Sequence, residues 1–225
     1  MSNNIYIGWD SREDIAYQVA KYSIEQYSTQ FNIIPIRQTD MRRRNLYWRE
    51  VDALASTEFT FTRFLVPYLN NYRGWALFCD SDFLFKCDPK EIFDQADDQY
   101  AVMVAKHDYQ VVDGSVKMDG KIQHAYPRKN WSSMMLINCA HPMCQYLGLN
   151  NVNNKSGAWL HRFEWCRDKY LGELSHEYNW LVGHYSVPKD GVPKALHYTE
   201  GCPFMSGYEN SDYASDWFDI ERKIV

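Results

Sequence analysis

Long apolar runs are missing from this 225-residue chain. No stretch approaches the roughly 20 residues that a membrane-spanning helix needs. The N-terminal M-S-N-N-I-Y-I-G lacks both the basic and the apolar segment of a secretion signal. Cysteines at 79, 87, 139, 144, 166 and 202 form no C-x-x-C pair and no zinc-ligand spacing. They read as reduced thiols, several of them buried, and the expected compartment is the cytoplasm. Excess positive charge is also absent: the net charge is -5, which argues against non-specific nucleic-acid binding. The one basic cluster, Arg42-Arg43-Arg44 with Arg49 nearby, is too short to reverse this. It reads as a solvated loop or helix face, with phosphate or membrane-surface binding as the alternative. No repeat, low-complexity run or linker divides the chain, so residues 1–225 are expected to form one α/β domain. Aromatics are plentiful at 16%, enough to fill a bulky core and also to line a carbohydrate or nucleotide site.

Periodicity places a first strand at Ile5–Gly8, then a helix with Ser11 as N-cap and Asp14 three residues on. Phe31–Ile36 is a second strand, so the opening is a strand–helix–strand crossover of a parallel sheet. A helix over Thr57–Leu69 carries Arg63 and leads into the apolar strand Trp75–Cys79. Asp88-Pro89 starts another helix, Tyr100–Ala105 is a strand, and the polar segment 106–130 is an irregular excursion holding a hairpin, with turns at Asp113-Gly114 and Asp119-Gly120. Ser133–Asn138 is a strand, His141-Pro142 opens a helix, and Asn150–Gly157 reads as a flexible polar loop. A last strand precedes His197, and the aromatic, acidic tail 208–218 packs across the surface.

The strand at 75–79 ends in Asp80-Ser81-Asp82. In extended geometry residues two apart point to one side. Two carboxylates aimed at one spot repel each other, and a hard divalent ion would relieve them. A D-x-D alone is also a common acidic turn. Three further features accompany it: the buried strand, the Arg63 segment T-E-F-T-F-T-R-F-L-V-P-Y-L, and the late K-A-L-H-Y-T-E-G-C-P-F.

Together these resemble glycosyltransferases of the GT-A fold, specifically the family 8 group that includes glycogenin and bacterial galactosyltransferases. The resemblance runs from I-Y-I-G-W-D through F-C-D-S-D and W-S-S-M-M-L-I-N to H-Y-T-E-G. It implies a Rossmann-like domain with a mixed, mostly parallel central sheet. It also implies a metal-dependent transfer of a sugar from a nucleotide-sugar, with UDP as the nucleotide, to a glycan or other hydroxyl acceptor with retention. Asp80, Asp82 and His197 would then hold Mn2+ or Mg2+, the imidazole tilting the choice toward Mn2+. Gly8, Trp9, Asp10 and Arg12 match the loop around uracil and ribose, with Gly8 admitting the base and Asp10 accepting its N3 proton; a cap or turn role is the alternative for Asp10. The stacking tyrosine of the family has no match at Glu13, leaving Trp9 or Tyr17. Arg63 matches the arginine that reaches the donor sugar and supports the D-x-D. Ser132 and Ser133 fall in the small-residue turn against the sugar, although Trp131 replaces its asparagine. Glu177 stands for the acidic residue beside the anomeric carbon, as nucleophile or stabiliser. Cys202 replaces the family lysine on the diphosphate, so backbone N–H groups around Gly201 would take part of its place. Two other functions remain open: an inactive nucleotide- or sugar-binding relative, and a D-x-D phosphatase, whose motif usually closes a first strand and not a third.

Overall fold

The computed structural model describes residues 4–50, 55–108, 116–117, 121–122 and 127–224. Its strands are β1 (Asn4–Trp9), β2 (Asn32–Arg37), β3 (Trp75–Cys79), β4 (Phe83–Phe85), β5 (Val102–Ala105), β6 (Val116–Lys117), β7 (Lys121–Ile122), β8 (Met134–Asn138), β9 (Leu171–Leu174), β10 (Trp180–Leu181) and β11 (Ala195–His197). The central sheet has the order β2-β1-β3-β8-β5-β9. β1 pairs in parallel with β2 and β3, and β5 with β9, while β8 runs antiparallel to both β3 and β5. Five strands therefore share one direction, and their carboxyl ends line a single edge, where α/β sheets bind ligands. This is the expected mixed, mostly parallel α/β sheet.

β3 shows why the sheet is central. Ala76 and Phe78 enter one core cluster with Phe64 and Met135, whereas Trp75, Leu77 and Cys79 enter another with Ile24 and Met103. Alternation at period two buries both faces, as a covered parallel sheet requires. Burying a side chain such as Phe78 contributes about 1.5–3 kcal/mol. A third cluster joins Ala16 and Val19 of the helix Asp14–Glu25 to Leu196, Trp217 and Ile220. The tail thus ends in an amphipathic helix, Ala214–Ile224, packed on the first helix.

A small sheet, β10-β11-β4, lies at the functional edge. β11 is antiparallel to β4 and sets His197 opposite Phe83, the residue after Asp82.

Several local expectations shift. The first helix starts at Asp14 with no side-chain cap, because the Ser11 hydroxyl donates instead to Glu58 Oε1 at 2.6 Å. The Thr57–Leu69 segment is a turn, a 3-10 stretch (Thr62–Leu65) and one α turn (Val66–Leu69). Thr57 N–H donates to Thr60 Oγ1 at 3.2 Å and that hydroxyl donates back to Thr57 O at 2.8 Å, so side chains displace helical bonds there. The 150–157 stretch is no flexible loop: Leu149–Asn154 and Gly157–His161 are helical. Asn153 explains the first of these, since it accepts from Trp48 N at 2.7 Å and donates to Leu46 O at 3.0 Å. The excursion does hold a hairpin, β6–β7, whereas Asp113-Gly114 and Asp119-Gly120 fall outside the described residues.

Candidate active site and metal centre

Two backbone bonds shape the acidic turn. Asp80 N–H donates to Ser133 O at 2.9 Å, and Asp82 O accepts from Tyr198 N at 3.0 Å. The turn is thereby tied to the start of β8 and the end of β11. Asp80, Asp82 and His197 each offer a ligand atom, and all three atoms lie within 4.8 Å of one another. His197 is 2% exposed, stacked on Phe83 with centroids 4.5 Å apart, and its Nε2 lies 3.4 Å from Asp82 Oδ2.

The protonation of that ring follows from its neighbours. Ser133 Oγ donates to Asn130 O at 2.7 Å and accepts from Asn179 Nδ2 at 2.9 Å, which turns Asn179 Oδ1 toward His197 Nδ1, also at 2.9 Å. An amide oxygen only accepts, so Nδ1 is the donor in that bond and Nε2 is the nitrogen that faces the aspartates. Two carboxylates and a ring nitrogen converging on one point offer a site for a cation. The donor set, oxygens plus one imidazole, fits a divalent ion. Burial pushes the Asp80 carboxyl up to about 6; Arg63 pulls it down and Asp82 pushes it further up.

Arg63 comes from the 3-10 stretch and is 5% exposed. Its Nη1 meets Asp80 Oδ1 at 2.7 Å and Ser132 O at 3.0 Å, with its guanidinium 5.3 Å from the rings of both Phe59 and Phe78. Ser132 Oγ in turn meets His161 Nδ1 at 2.8 Å. Burial, reinforced by the Arg63 charge, pushes His161 down to about 3, so that ring stays neutral. Ser132 and Ser133 are both buried with their hydroxyls engaged. The turn expected against the donor sugar therefore braces Arg63, His161 and Asn179.

The first loop lies where expected, but its side chains are used differently. A Cβ on Gly8 would lie 2.4 Å from Phe59 Cδ2, so the space read as room for a base is filled by Phe59. Asp10 is fully buried. Its Oδ1 accepts from Arg12 N at 3.0 Å and Nε at 2.9 Å, and its Oδ2 from Arg12 Nη2 at 2.7 Å and Glu58 N at 3.0 Å. Burial alone would raise this carboxyl, but the bonds from Arg12 and Glu58 outweigh it and hold the carboxyl below its usual value. No carboxylate oxygen is left over for a uracil N3 proton, so Asp10 braces the loop in this conformation. Tyr17 is buried in the core and cannot stack on a base; Trp9 keeps exposed surface, donates to Asp14 Oδ1 at 2.6 Å and has Arg37 over its ring.

Two other positions depart from expectation. Gly201 N–H already donates to Tyr198 O at 3.0 Å and so is not free for a phosphate; a Cβ there would lie 2.7 Å from the Tyr208 ring. Glu177 Oε1 accepts from Val192 N at 2.8 Å and fits against Gly191, where a Cβ would lie 2.5 Å away. Its hydrogen bonds go to that loop and to Ser175, not to the triad. The residue of this segment that reaches the candidate metal centre is Asn179, two positions on, through its bond to His197. Its only sequence signal is its position two residues after Glu177, where the glycosyltransferases that the sequence resembles carry a second aspartate. His161 and His107 carried no signal, because their placement depends on distant elements.

Solved structures of glycosyltransferases share the fold. The glycosyltransferase GlyE of Streptococcus pneumoniae TIGR4 superposes with a TM-score of 0.61 at 15% identity over 98% of this chain, which spans 60% of the GlyE chain. Galactosyltransferase LgtC, in complex with donor and acceptor sugar analogs, gives a TM-score of 0.60 at 11% identity, covering 98% of this chain and 95% of that one. The fold is therefore the GT-A glycosyltransferase fold, and the acidic turn with His197 is a candidate metal centre within it. No protein-family model matches the sequence. The chain is 48% identical over 219 residues to Protein CDI of Arabidopsis thaliana, covering 96% of this chain and 84% of that protein, and it belongs to the family of that protein.

Proposed function

We propose that this protein is a metal-dependent glycosyltransferase, family 8-like, moving a sugar from a UDP-sugar to a hydroxyl of a glycan or similar acceptor. The observation that carries the reading is the convergence of Asp80, Asp82 and His197 within 4.8 Å, braced by Arg63, at the carboxyl edge of a GT-A sheet. These three side chains would hold Mn2+ or, less well, Mg2+. When bound, the cation supplies positive charge against the charge that builds on the departing nucleoside diphosphate. Arg63 holds Asp80 in place, Asn179 keeps the lone pair of His197 on the ligand side, and Trp9 is the aromatic surface left for the base. We propose retention of the sugar's configuration, as the resemblance implies. With Glu177 held at Val192, attack from the leaving-group face needs no protein nucleophile. Residues 1–225 act as one transferase unit. Six free thiols fit a reducing compartment, the cytoplasm, and no helix among the described residues is long and apolar enough to cross a membrane.

A second reading, a binding protein without turnover, is favoured by one feature: Cys202 is 1% exposed and uncharged where the family sets a lysine on the diphosphate. Titration calorimetry of UDP, GDP, CDP and ADP, with and without Mn2+, tests the proposal. UDP binding that requires Mn2+, followed by slow hydrolysis of a UDP-sugar, is the expected result. Binding without hydrolysis or transfer would favour the second reading, and no nucleotide binding would overturn both.

A further inference from the structure

Arg63 is aimed at Asp80 by a hydrogen bond to a turn. Its Nη1 donates to Ser132 O at 3.0 Å and lies 2.7 Å from Asp80 Oδ1, whereas its Nε is buried with no hydrogen-bond partner among the described residues. The rings of Phe59 and Phe78, each 5.3 Å away, confine the guanidinium without directing any N–H. Attraction between charges has little direction, and a hydrogen bond to a carbonyl has a narrow one. The Ser132 carbonyl is therefore the contact that sets where Arg63 points.

That turn, Trp131–Ser133, holds itself loosely. Its backbone bonds, Trp131 N–H to Arg128 O and Ser133 N–H to Asn130 O, are both 3.3 Å, long for an amide donor. Side chains supply the rest. Ser133 is pinned by Asn130 and Asn179, and Ser132 by His161, whose Nδ1 lies 2.8 Å from the Ser132 hydroxyl.

His161 closes the helix Gly157–His161, which sits so near the Arg63 stretch that a Cβ on Gly157 would lie 3.0 Å from the Phe61 ring. Its imidazole lies against Phe61 and Phe64, with centroids 6.1 and 5.1 Å away. Both phenylalanines flank Arg63 in the chain. One side chain thus rests on the segment that carries the guanidinium and grips the residue that accepts from it. Burial beside Arg63 keeps this ring neutral, and a neutral ring can take the Ser132 O–H at Nδ1.

We propose that His161 is a positioning residue: by fixing Ser132 it aims Arg63 at the candidate metal ligand Asp80. Its value to catalysis rests on the metal-dependent transferase reading, and two measurements separate the questions. Calorimetry of UDP with Mn2+ reads the metal centre. NMR of the Arg63 guanidinium N–H groups, recorded without metal, reads where Arg63 points. His161→Phe keeps a ring against Phe61 and Phe64 and removes the nitrogen. It should weaken Mn2+-dependent UDP binding by about 5- to 10-fold and shift or broaden the Arg63 signals. His161→Asn, whose amide reaches the place of Nδ1, should restore the signals and bring binding within about twofold of the parent. Ser132→Ala should match His161→Phe, and the double variant should be no weaker than either, because both changes cut the same bond. Parent-like Arg63 signals in His161→Phe, no rescue by asparagine, or additive losses in the double variant would each overturn the proposal. If the parent binds no UDP with Mn2+ while the Arg63 signals follow His161 in this pattern, the positioning role stands and the transferase reading falls.

Discussion

An imidazole has two nitrogens, and which one carries the proton decides whether the other can hold a cation. In His197 that choice belongs to Asn179, through the 2.9 Å bond to Nδ1. Asn179→Leu keeps the volume and removes the acceptor, so Mn2+ affinity should fall about 10- to 100-fold. Asn179→Asp, which still accepts from Nδ1, should bind Mn2+ nearly as the parent does. Calorimetry with Mn2+ alone reads both, and equal affinity in the leucine variant would sink the assignment. Asp82→Asn should abolish Mn2+-dependent UDP binding without lowering the melting temperature. Its side chain is 16% exposed, and neutralising one of two adjacent carboxylates relieves repulsion in the metal-free protein. Unfolding of this variant, or UDP binding as tight as the parent's, would place the metal elsewhere.

Between elements, the loop after β1 and the turn before the Arg63 stretch are fitted to each other at Gly8 and Phe59. With only 2.4 Å available to a Cβ, Gly8→Ala must push a ring that is 1% exposed and that also flanks Arg63. A cost of about 1–3 kcal/mol is expected from such overpacking. Gly8→Ala combined with Phe59→Leu should cost less than the sum of the two single changes, with a coupling above about 0.5 kcal/mol. Urea unfolding of the four proteins closes the cycle, and additive costs would show that the two residues do not meet.

At the scale of the whole molecule, buried neutral histidines link stability to pH. Burial first, then the nearby His197 and His176, push His107 down to about 3, and His161 is lowered likewise by burial and Arg63. Between about pH 3 and 6.5 the unfolded chain binds protons that the folded chain refuses. Their contribution is complete above pH 6.5 and is lost progressively as pH falls. Asp80, raised to about 6, works in the opposite sense, because its folded form binds the proton first as pH drops from about 6 toward 3.8. Each histidine costs at most about 2 kcal/mol at pH 5 and Asp80 returns part of it, for a net loss of about 1–3 kcal/mol relative to pH 7.5. Urea midpoints at the two pH values measure this. His107→Gln should flatten the dependence, and a midpoint that rises on acidification would contradict the buried neutral rings.

What the chain determines without tertiary context is whatever rests on local pattern. β3 is legible because five apolar residues precede a polar break, and the pairing of Asp80 with Asp82 because the i, i+2 geometry is local. His197 and Arg63 were legible through the motif around each. The tertiary structure decided how neighbouring groups are used. Asp10 looks like a base reader until Arg12 and Glu58 surround it, and Gly8 looks open until Phe59, about fifty residues away, fills the space. Glu177 is the acidic group of its segment, yet it turns to Val192 while Asn179 turns to His197. Asn150–Asn154 has a loop-like composition and is helical because Asn153 finds partners at Leu46 and Trp48. In each case the deciding hydrogen bond or contact comes from a loop or from another part of the chain. Hydrophobic periodicity records which side of an element is buried, but not which polar partner its buried groups will meet.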